Sequence, residues 1–337
     1  MPATLFPAVG TREDLMDVIS VVDAKNCPIS SSVAKIGPDI SNPGIYSYLA
    51  DSYSAPVLDG VMSSADVSSY NDEAANRVLL SARAQKVRRA FQTDDFAANV
   101  ADVAAVGKKR EFARATAVAL TELKRDIEAI ISSDSESQEQ SGASTPFKTR
   151  GLGRWIQNGA QSDLAVASSQ RTPTASINTT ATASLTESNL QAVLQSIYEQ
   201  TGQTDRLVLV AGPTLKRAIT NFTRFTVNST ASVFNLRQTS QSAESNKLTA
   251  NVSLYEGDFS TVEIVPSLLL AAAAATDAEK FARGYVVNAD HLMIRFGRKP
   301  RFDELPDMGG GPRGLVDAIV SLAVMTPRAM GKFSATS

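Results

Sequence analysis

Residues 107–134 read GKKREFARATAVALTELKRDIEAIISSD, the longest uninterrupted helical signal in the chain. Phe112, Thr116, Ala119, Leu123, Ile127 and Ile130 recur at spacings of three and four, which gathers them on one face of a 3.6-residue helix. Lys108, Lys109, Arg110, Arg114, Glu122, Lys124, Arg125 and Glu128 fill the other faces. Gly107 and the Ser132-Ser133-Asp134 run supply plausible ends. At 1.5 Å per residue the helix would be about 40 Å long. A narrow apolar stripe within a broad charged surround predicts a strut laid along a sheet or a neighbour. Its structural core is expected at Phe112, Ala119, Leu123, Ile127 and Ile130.

Upstream, residues 44–92 read as two extended runs around a loose tip. IYSYL, within residues 44–49, alternates; NRVLLSARAQKVRRAF, residues 76–91, is longer and partly alternating. Between them, residues 51–72 are rich in Ser, Ala, Asp and Gly and show little periodicity. A long hairpin with a polar, small-residue tip does not stabilise itself in water, so it is expected to lie against something. Arg77, Arg83, Arg88 and Arg89 suit either an anion or nucleic-acid site, or a solvated or intersubunit face; we favour the second. Further upstream, Pro2, Pro7, Pro28, Pro38 and Pro43 interrupt an arm at residues 1–42. Its helical candidate is residues 12–22, with Thr11 as N-cap and Asp14 three residues on, a weak capping box. Leu15, Val18, Ile19 and Val22 would form an apolar face, which argues for docking on another chain or lobe rather than a frayed end.

Downstream, SESQEQSGAS (135–144) reads as a linker or exposed loop, GLGRWI (151–156) carries the only tryptophan, and residues 157–184 read as loop with short strand. From Leu185 the signals sharpen. Thr186 caps a helix through Thr201 with Leu190, Val193, Leu194 and Ile197 on one face, and Gly202 ends it. A buried strand follows at 207–210, and Gly212-Pro213 opens a second helix to about Phe222. Strands are expected at 248–255, 262–265, 283–287, 288–296 and 315–325. This order predicts an α+β lobe.

Composition narrows the function. At 337 residues, two lobes are the default, and an apolar fraction of 43% is ample for their cores. Lys plus Arg (33) nearly balance Asp plus Glu (35), a poor match to tight, sequence-specific DNA binding. The single cysteine, Cys27, excludes an internal disulfide framework and any multi-cysteine zinc site. The N-terminus lacks the basic and apolar regions of a secretion signal, and the longest apolar run, 268–275, is far short of the roughly 20 residues of a membrane span. A soluble, cytoplasm-made chain with no membrane partner is expected.

Chemistry is mostly absent. His291, the sole histidine, opens the apolar run HLMIRF, where a hydrogen-bonded structural role is favoured over a triad base. There is no HExxH, P-loop or nucleophile elbow. Gly309, Gly311 and Gly314 match a literal G-x-G-x-x-G, but Pro312 lies inside it and the next segment reads as strand, so a flexible turn is expected. The sequons at Asn178, Asn221, Asn228 and Asn251 are compositional, and Asp94-Asp95 and Asp303-Glu304 suit caps or solvated surface. A lysine–asparagine isopeptide crosslink has no sequence feature to select its residues. No catalytic, cofactor-binding or metal residue is assigned, and no cofactor is expected. Protrusions unstable alone imply partners that are copies of the same chain, which favours a shell or lattice protein.

The residues also carry a resemblance. TREDLMDVISVVDAKNCPI looks like the N-terminal block of the SU10-like major capsid proteins of tailed phages, which have the HK97-type fold. RVLLSARAQKVRRAFQTDD followed by ALTELKRDIEAI is similar to that family's strand and backbone helix, LKRDIE being the most specific piece. GLGRWIQN resembles the block after the helix, and TESNLQAVLQSIYEQTG with LVLVAGPTLKRAITNF resembles its helix–strand–helix. Residues 303–314 depart from the pattern. The resemblance implies an α+β, HK97-like capsid fold: an N-terminal arm (1–42), an extended hairpin loop (43–92), a peripheral domain (93–150 and 290–337) holding the backbone helix, and an axial domain (151–289). It implies self-assembly through hexamers and pentamers into an icosahedral shell around double-stranded DNA, with scaffolding, portal and decoration proteins as further partners and non-specific DNA contact. The hairpin loop would lie over the adjacent subunit, with Arg12, Asp14, Arg77, Arg83, Arg88 and Arg89 at the subunit interface. Charge reversal at Arg83 and Arg88 would then lower assembly and leave the monomer's circular dichroism intact. An encapsulin-like nanocompartment shell and an enzyme with an unrecognised site are the alternatives.

Overall fold

The computed structural model describes residues 26–36, 44–68, 70, 72, 74–94, 108–142, 144–202, 206–222, 252–273 and 279–334. The helix expected at 12–22, with Arg12 and Asp14, lies outside the described residues. In chain order the first part comprises α1 (Pro28–Ser32), β1 (Ala34–Ile36), β2 (Ile45–Ala50), β3 (Val78–Arg83), β4 (Gln85–Gln92) and the long helix α2 (Lys108–Ile131). Then come α3 (Leu152–Trp155), β5 (Ile177–Asn178), α4 (Glu187–Thr201), β6 (Arg206–Ala211), α5 (Pro213–Asn221), β7 (Leu254–Glu256) and β8 (Thr261–Pro266). The chain closes with α6 (Leu269–Ala272), β9 (Arg283–Val287), β10 (Leu292–Leu305), β11 (Arg313–Val324) and β12 (Gly331–Ser334).

Two sheets organise two cores. The first has the order β1-β10-β11-β4, with β10 and β11 forming a long antiparallel pair whose register shifts around Arg298. Alternation along β11 points Val316, Ala318, Val320 and Leu322 into the core. α2 lies across β4 and β11 and buries Ala119, Leu123 and Ile127 there. Phe112 and Ile130 are only half-buried; Phe112 closes an aromatic cluster with Phe91 and Phe302, at centroid distances of 5.4 and 5.8 Å. Ile131, one residue beyond the expected stripe, is fully buried in its place.

Glu128 corrects the expectation of a wholly charged outer surface. It is 1% exposed, and its carboxylate accepts the backbone N–H groups of Ile29 and Ser30 at 2.9 and 2.8 Å. α1 begins at Cys27–Pro28 with no side-chain cap of its own, so a carboxylate from α2 satisfies its orphan donors.

The second sheet has the order β5-β12-β9-β6-β8-β7. β6 runs parallel to β8 and antiparallel to β9, and its RLVLVA sequence is covered on both faces because Leu207, Leu209 and Ala211 enter the second core while Val208 and Val210 pack against the first. Leu190, Val193, Leu194 and Ile197 of α4 and Leu215 and Ile219 of α5 pack on it. A reciprocal Thr186–Asn189 capping box starts α4, and Gly202, with φ +64°, ends it.

Other differences are local. The single run expected at 76–91 breaks at Ala84: β3 pairs with β2, whereas β4 pairs with β11. The bend is held by Ala84 N–H donating to Gly44 O at 2.7 Å and by the Ser321 hydroxyl donating to Arg83 O at 3.0 Å. The strand expected at 288–296 starts at Leu292 and continues to Leu305. Residues 306–312 form the tip of the β10–β11 hairpin, where Asp307 Oδ1 accepts from the N–H groups of Gly309, Gly310 and Gly311 and two of these glycines adopt positive φ, while Gly314 is already paired in β11. β12 leaves the 290–337 grouping: it adds to the second sheet, where Phe333 is fully buried in that core. The Ser/Thr-rich 157–184 segment is partly internal, with Thr172 and Ser176 fully buried and bonded to Pro327 O and the Ser196 hydroxyl, each at 2.8 Å.

Candidate assembly interface

β2 and β3 form a two-stranded ribbon whose base is fixed in the first core. Tyr48 Oη donates to Val324 O at 2.7 Å and accepts from Val324 N–H at 3.1 Å, while its ring is buried. Burial pushes the Tyr48 phenol well above its ordinary range, so it stays a neutral donor. The Arg295 guanidinium lies 4.0 Å over the ring of Tyr46. Beyond Ala50 the ribbon opens into a loop to Arg77, necked by an exposed Arg77–Asp51 pair at 3.1 Å.

The loop's surface differs from the polar tip expected. Tyr53, Val57, Leu58, Val61, Met62, Val67 and Tyr70 are all exposed, Leu58 at 94% and Met62 at 81%. Residues 52–76 hold acids at 59, 66, 72 and 73 and no lysine or arginine. An apolar, acidic loop standing off a rigid base is a surface that lacks a partner among the described residues of its own chain. The signal was present in the sequence as large apolar residues scattered through a Ser/Asp-rich segment, without any period to flag them.

The four arginines separate. Arg83, at the foot of β3, has a side chain only 5% exposed. Its Nε and Nη2 donate to Asp163 at 2.7 and 3.0 Å, and Nη2 also reaches Glu139 at 3.0 Å. That corrects its expected place opposite a neighbour's carboxylates: its donors are used inside the chain. Arg89 donates to Asp126 of α2 at 2.5 and 2.6 Å, and Arg77 pairs with Asp51. Arg88 is exposed on β4 and makes no ion pair among the described residues.

Arg83 belongs to a cluster that sequence reading missed. Arg150, fully buried, donates to Glu136 at 2.7 Å and to the carbonyls of Asp163 and Leu164, with its guanidinium 4.7 Å from the centroid of Trp155. Arg154 of α3 takes the other oxygen of Glu136 at 2.7 Å, and the Ser137 hydroxyl donates to Asp163 at 2.7 Å. Leu164 adopts φ +45°, a left-handed conformation that the Arg150 bonds hold in place. The Arg83 bond holds the Asp163 carboxyl below its ordinary range. Burial pushes Glu136 up, but the hydrogen bonds from Arg154 and Arg150 outweigh it and leave it lowered. Glu136, Ser137 and Glu139, in a segment expected as a linker or exposed loop, thus brace the hairpin.

A second cluster ties the end of α2 to the second sheet. Asp134 pairs with Arg283 of β9 and with Lys332 of β12, the latter at 2.7 Å, and Tyr285 Oη donates to Ser132 O at 2.8 Å. Gly153 passes so close that a Cβ there would lie 1.8 Å from Asp134 Oδ1. His291 Nδ1 lies 3.4 Å from the Thr326 hydroxyl. Among the described residues no group of three His, Cys, Asp or Glu side chains is placed to hold a metal ion, and no helix is long and apolar enough to cross a membrane.

A family model described as SU10 major capsid protein matches residues 3–337. No curated protein matches the chain. Among solved structures, the cyanophage A-1(L) capsid asymmetric unit is similar at a TM-score of 0.65 and 12% identity, over 98% of this chain and 99% of that one. Gordonia phage Cozz gives 0.57 and 13% over 98% and 92%, and the capsid of a native GTA particle 0.58 and 10% over 98% and 96%. At such identities the likeness speaks for the fold: an α+β capsid fold.

Proposed function

The chain belongs to the SU10 major capsid protein family, a phage shell-forming protein, and we propose that its hairpin loop is the element by which each subunit grips the next. The observation that carries this reading is the set of large apolar side chains exposed on a loop whose base is locked in its own core. Covering each such side chain stabilises an assembly by roughly 1.5–3 kcal/mol, and several together exceed what exposed ion pairs supply. In this reading residues 1–42 are the arm and 43–92 the extended loop. Residues 93–150, with 290–330, build the peripheral domain around α2, and residues 151–289, with β12, build the axial domain. The subunits form pentamers and hexamers of an icosahedral shell around double-stranded DNA. Assembly takes place in the host cytoplasm with scaffolding, portal and decoration proteins. Arg88 remains the best candidate among the four arginines for a neighbour's carboxylate. The role is structural and non-enzymatic, and the shell meets DNA through scattered Lys and Arg without base readout.

The test is negative-stain electron microscopy with sedimentation on the chain expressed alone and with the genes beside its own. Closed shells or capsomer sheets are expected. Leu58→Asp with Met62→Asp should abolish them and leave the monomer's circular dichroism and melting unchanged. Normal shells from that variant would overturn the role given to the loop.

A further inference from the structure

The face of the first sheet turned away from α2 is only half covered. Alternation along β11 sends Leu315, Asp317, Ile319 and Ser321 to that face, opposite the residues that enter the core. Ser321 is fully buried, whereas Ile319 lies partly exposed in an open groove of about 590 Å³. Gly44 and Ala84, at the foot of the hairpin, and Pro146 and Phe147 complete its apolar lining. Four cations stand on the same two rungs: Lys86 of β4 and Arg298 of β10 flank Ile319, while Arg88 and Arg301 flank Asp317. Asp317, 2% exposed, is engaged by its neighbours: Arg298 donates to it, Arg301 Nε lies 3.5 Å away and Lys86 Nζ 3.8 Å. Arg301 also pairs with Asp303 at 2.9 Å. Arg88, exposed at the groove, makes no ion pair among the described residues. Four cations beside two carboxylates leave positive charge over an apolar floor, which suits an acidic partner that also carries apolar side chains. A nucleic-acid backbone would match only the charge.

The hairpin loop has that chemistry. Asp59 and Asp66 are exposed on it and make no ion pair among the described residues, and Leu58 and Met62, close to Asp59 in sequence, are exposed as well. A loop at the end of one hairpin and a groove at the foot of another make a head-to-tail contact, in which every subunit gives a loop and receives one. Repeated about an axis, such a contact closes a ring. A second open groove, lined by Lys35, Lys124 and Lys299 beside α1, is the rival site. It lacks an arginine fork, which takes a carboxylate through two parallel bonds.

We propose that the groove at Ile319 receives the hairpin loop of a second copy, with Leu58 and Met62 on Ile319 and Phe147 and Asp59 on Arg88. The proposal rests on the gripping role given to the loop, which the Leu58→Asp with Met62→Asp variant scores by itself. In a Cys27→Ser background, Met62→Cys with Phe147→Cys, oxidised after assembly, should link subunits into ladders on non-reducing gels. The yield should exceed at least tenfold that of Met62→Cys with Lys35→Cys, which probes the rival groove. Arg88→Glu should lower shell yield at least tenfold with the monomer's circular dichroism unchanged, and adding Asp59→Arg to the same chain should restore at least half of it. Equal linking at the two grooves, or bonds within one chain, would overturn the proposal. So would an Arg88→Glu defect that Asp59→Arg does not relieve. Full shell yield from Arg88→Glu with reduced DNA retention would also overturn it, by assigning the face to nucleic acid. If the Leu58 and Met62 aspartates abolished shells while Met62→Cys linked only at Lys35, the loop would keep its role and this groove would lose it.

Discussion

Replacing Arg83 by Ala is expected to weaken the folded chain before any two subunits meet. Three charge-assisted hydrogen bonds disappear, two to Asp163 and one to Glu139. Removing one partner of a buried ion pair costs roughly 3–5 kcal/mol. Here the partners are wetter than the arginine, with Asp163 at 23% and Glu139 at 68% side-chain exposure. Screening makes the Glu139 bond worth little, and Asp163 keeps the Ser137 hydroxyl. The net loss is therefore about 2–3 kcal/mol. Trp155, buried beside Arg150 in the same cluster, reports unfolding by its fluorescence. With a urea slope near 3 kcal/mol per molar for a chain of this size, the midpoint of the unassembled protein should fall by about 0.7–1 M. Arg88→Ala is the matched control, since an exposed residue outside such networks moves stability by no more than about 0.5 kcal/mol. If Arg83→Ala unfolded like wild type yet failed to assemble, the arginine would belong to the interface and the cluster reading would be wrong.

Leu123→Asp places an unpaired carboxylate at a fully buried position under α2 and should remove several kcal/mol, leaving little soluble protein; normal yield and melting would show that this face is not buried in solution. Gly153→Ala drives a methyl into Asp134 and should cost roughly 2–3 kcal/mol, read as a lowered urea midpoint. Asp163 and Glu136 both have folded pKa values below their ordinary ones, so the stability they contribute is fully present above about pH 5 and is lost as pH falls through the folded values. The urea midpoint should thus be level from pH 7 to 5 and drop toward pH 3. Arg83→Ala should drop less over the same window, because its Asp163 loses the hydrogen bond that does most to lower its pKa and keeps only the smaller effects of Ser137 and Arg150.

Periodic features were legible because they are local. α2, α4 and α5 show their buried faces in the spacing of Leu, Ile and Val, and β6 and β9 show theirs in short apolar runs closed by Gly or Asn. What escaped depends on partners distant in sequence. The break at Ala84 is made by Gly44 and Ser321, not by any turn residue at the bend. Glu128 looks like every other charge on α2 until α1, about a hundred residues earlier, is set against it. Asp163 sits in a segment of Ser, Ala and Gln with no helical or strand period, and only its distance from Arg83 and Arg150 reveals it. The exposed apolar loop residues form no stripe, and the contact with another copy proposed for them does not require one, since such a surface need not follow the period of its own backbone.

Three of the carboxylates of α2 and its end give the strut a mechanical meaning beyond packing. Asp126 holds β4 through Arg89, Glu128 holds α1, and Asp134 holds β9 and β12. They lie along the last third of the helix and on from its end, so one rigid element connects the hairpin's return strand, the N-terminal helix and the second sheet. A force on the hairpin loop reaches α2 by two routes, through β4 and Arg89, and through Arg83 into the cluster that holds Arg150 and α3. The second route meets the first again at Gly153, whose carbonyl accepts from Lys332, the lysine that also grips Asp134. A change in the angle between the two sheets must therefore break or slide the Asp134 cluster, whereas bending the loop about its neck disturbs only exposed contacts such as Arg77–Asp51. Loop bending is therefore expected to be the softer motion of this subunit, with amide exchange faster in residues 51–77 than at β9 and β12; equal protection of the two would refute the argument.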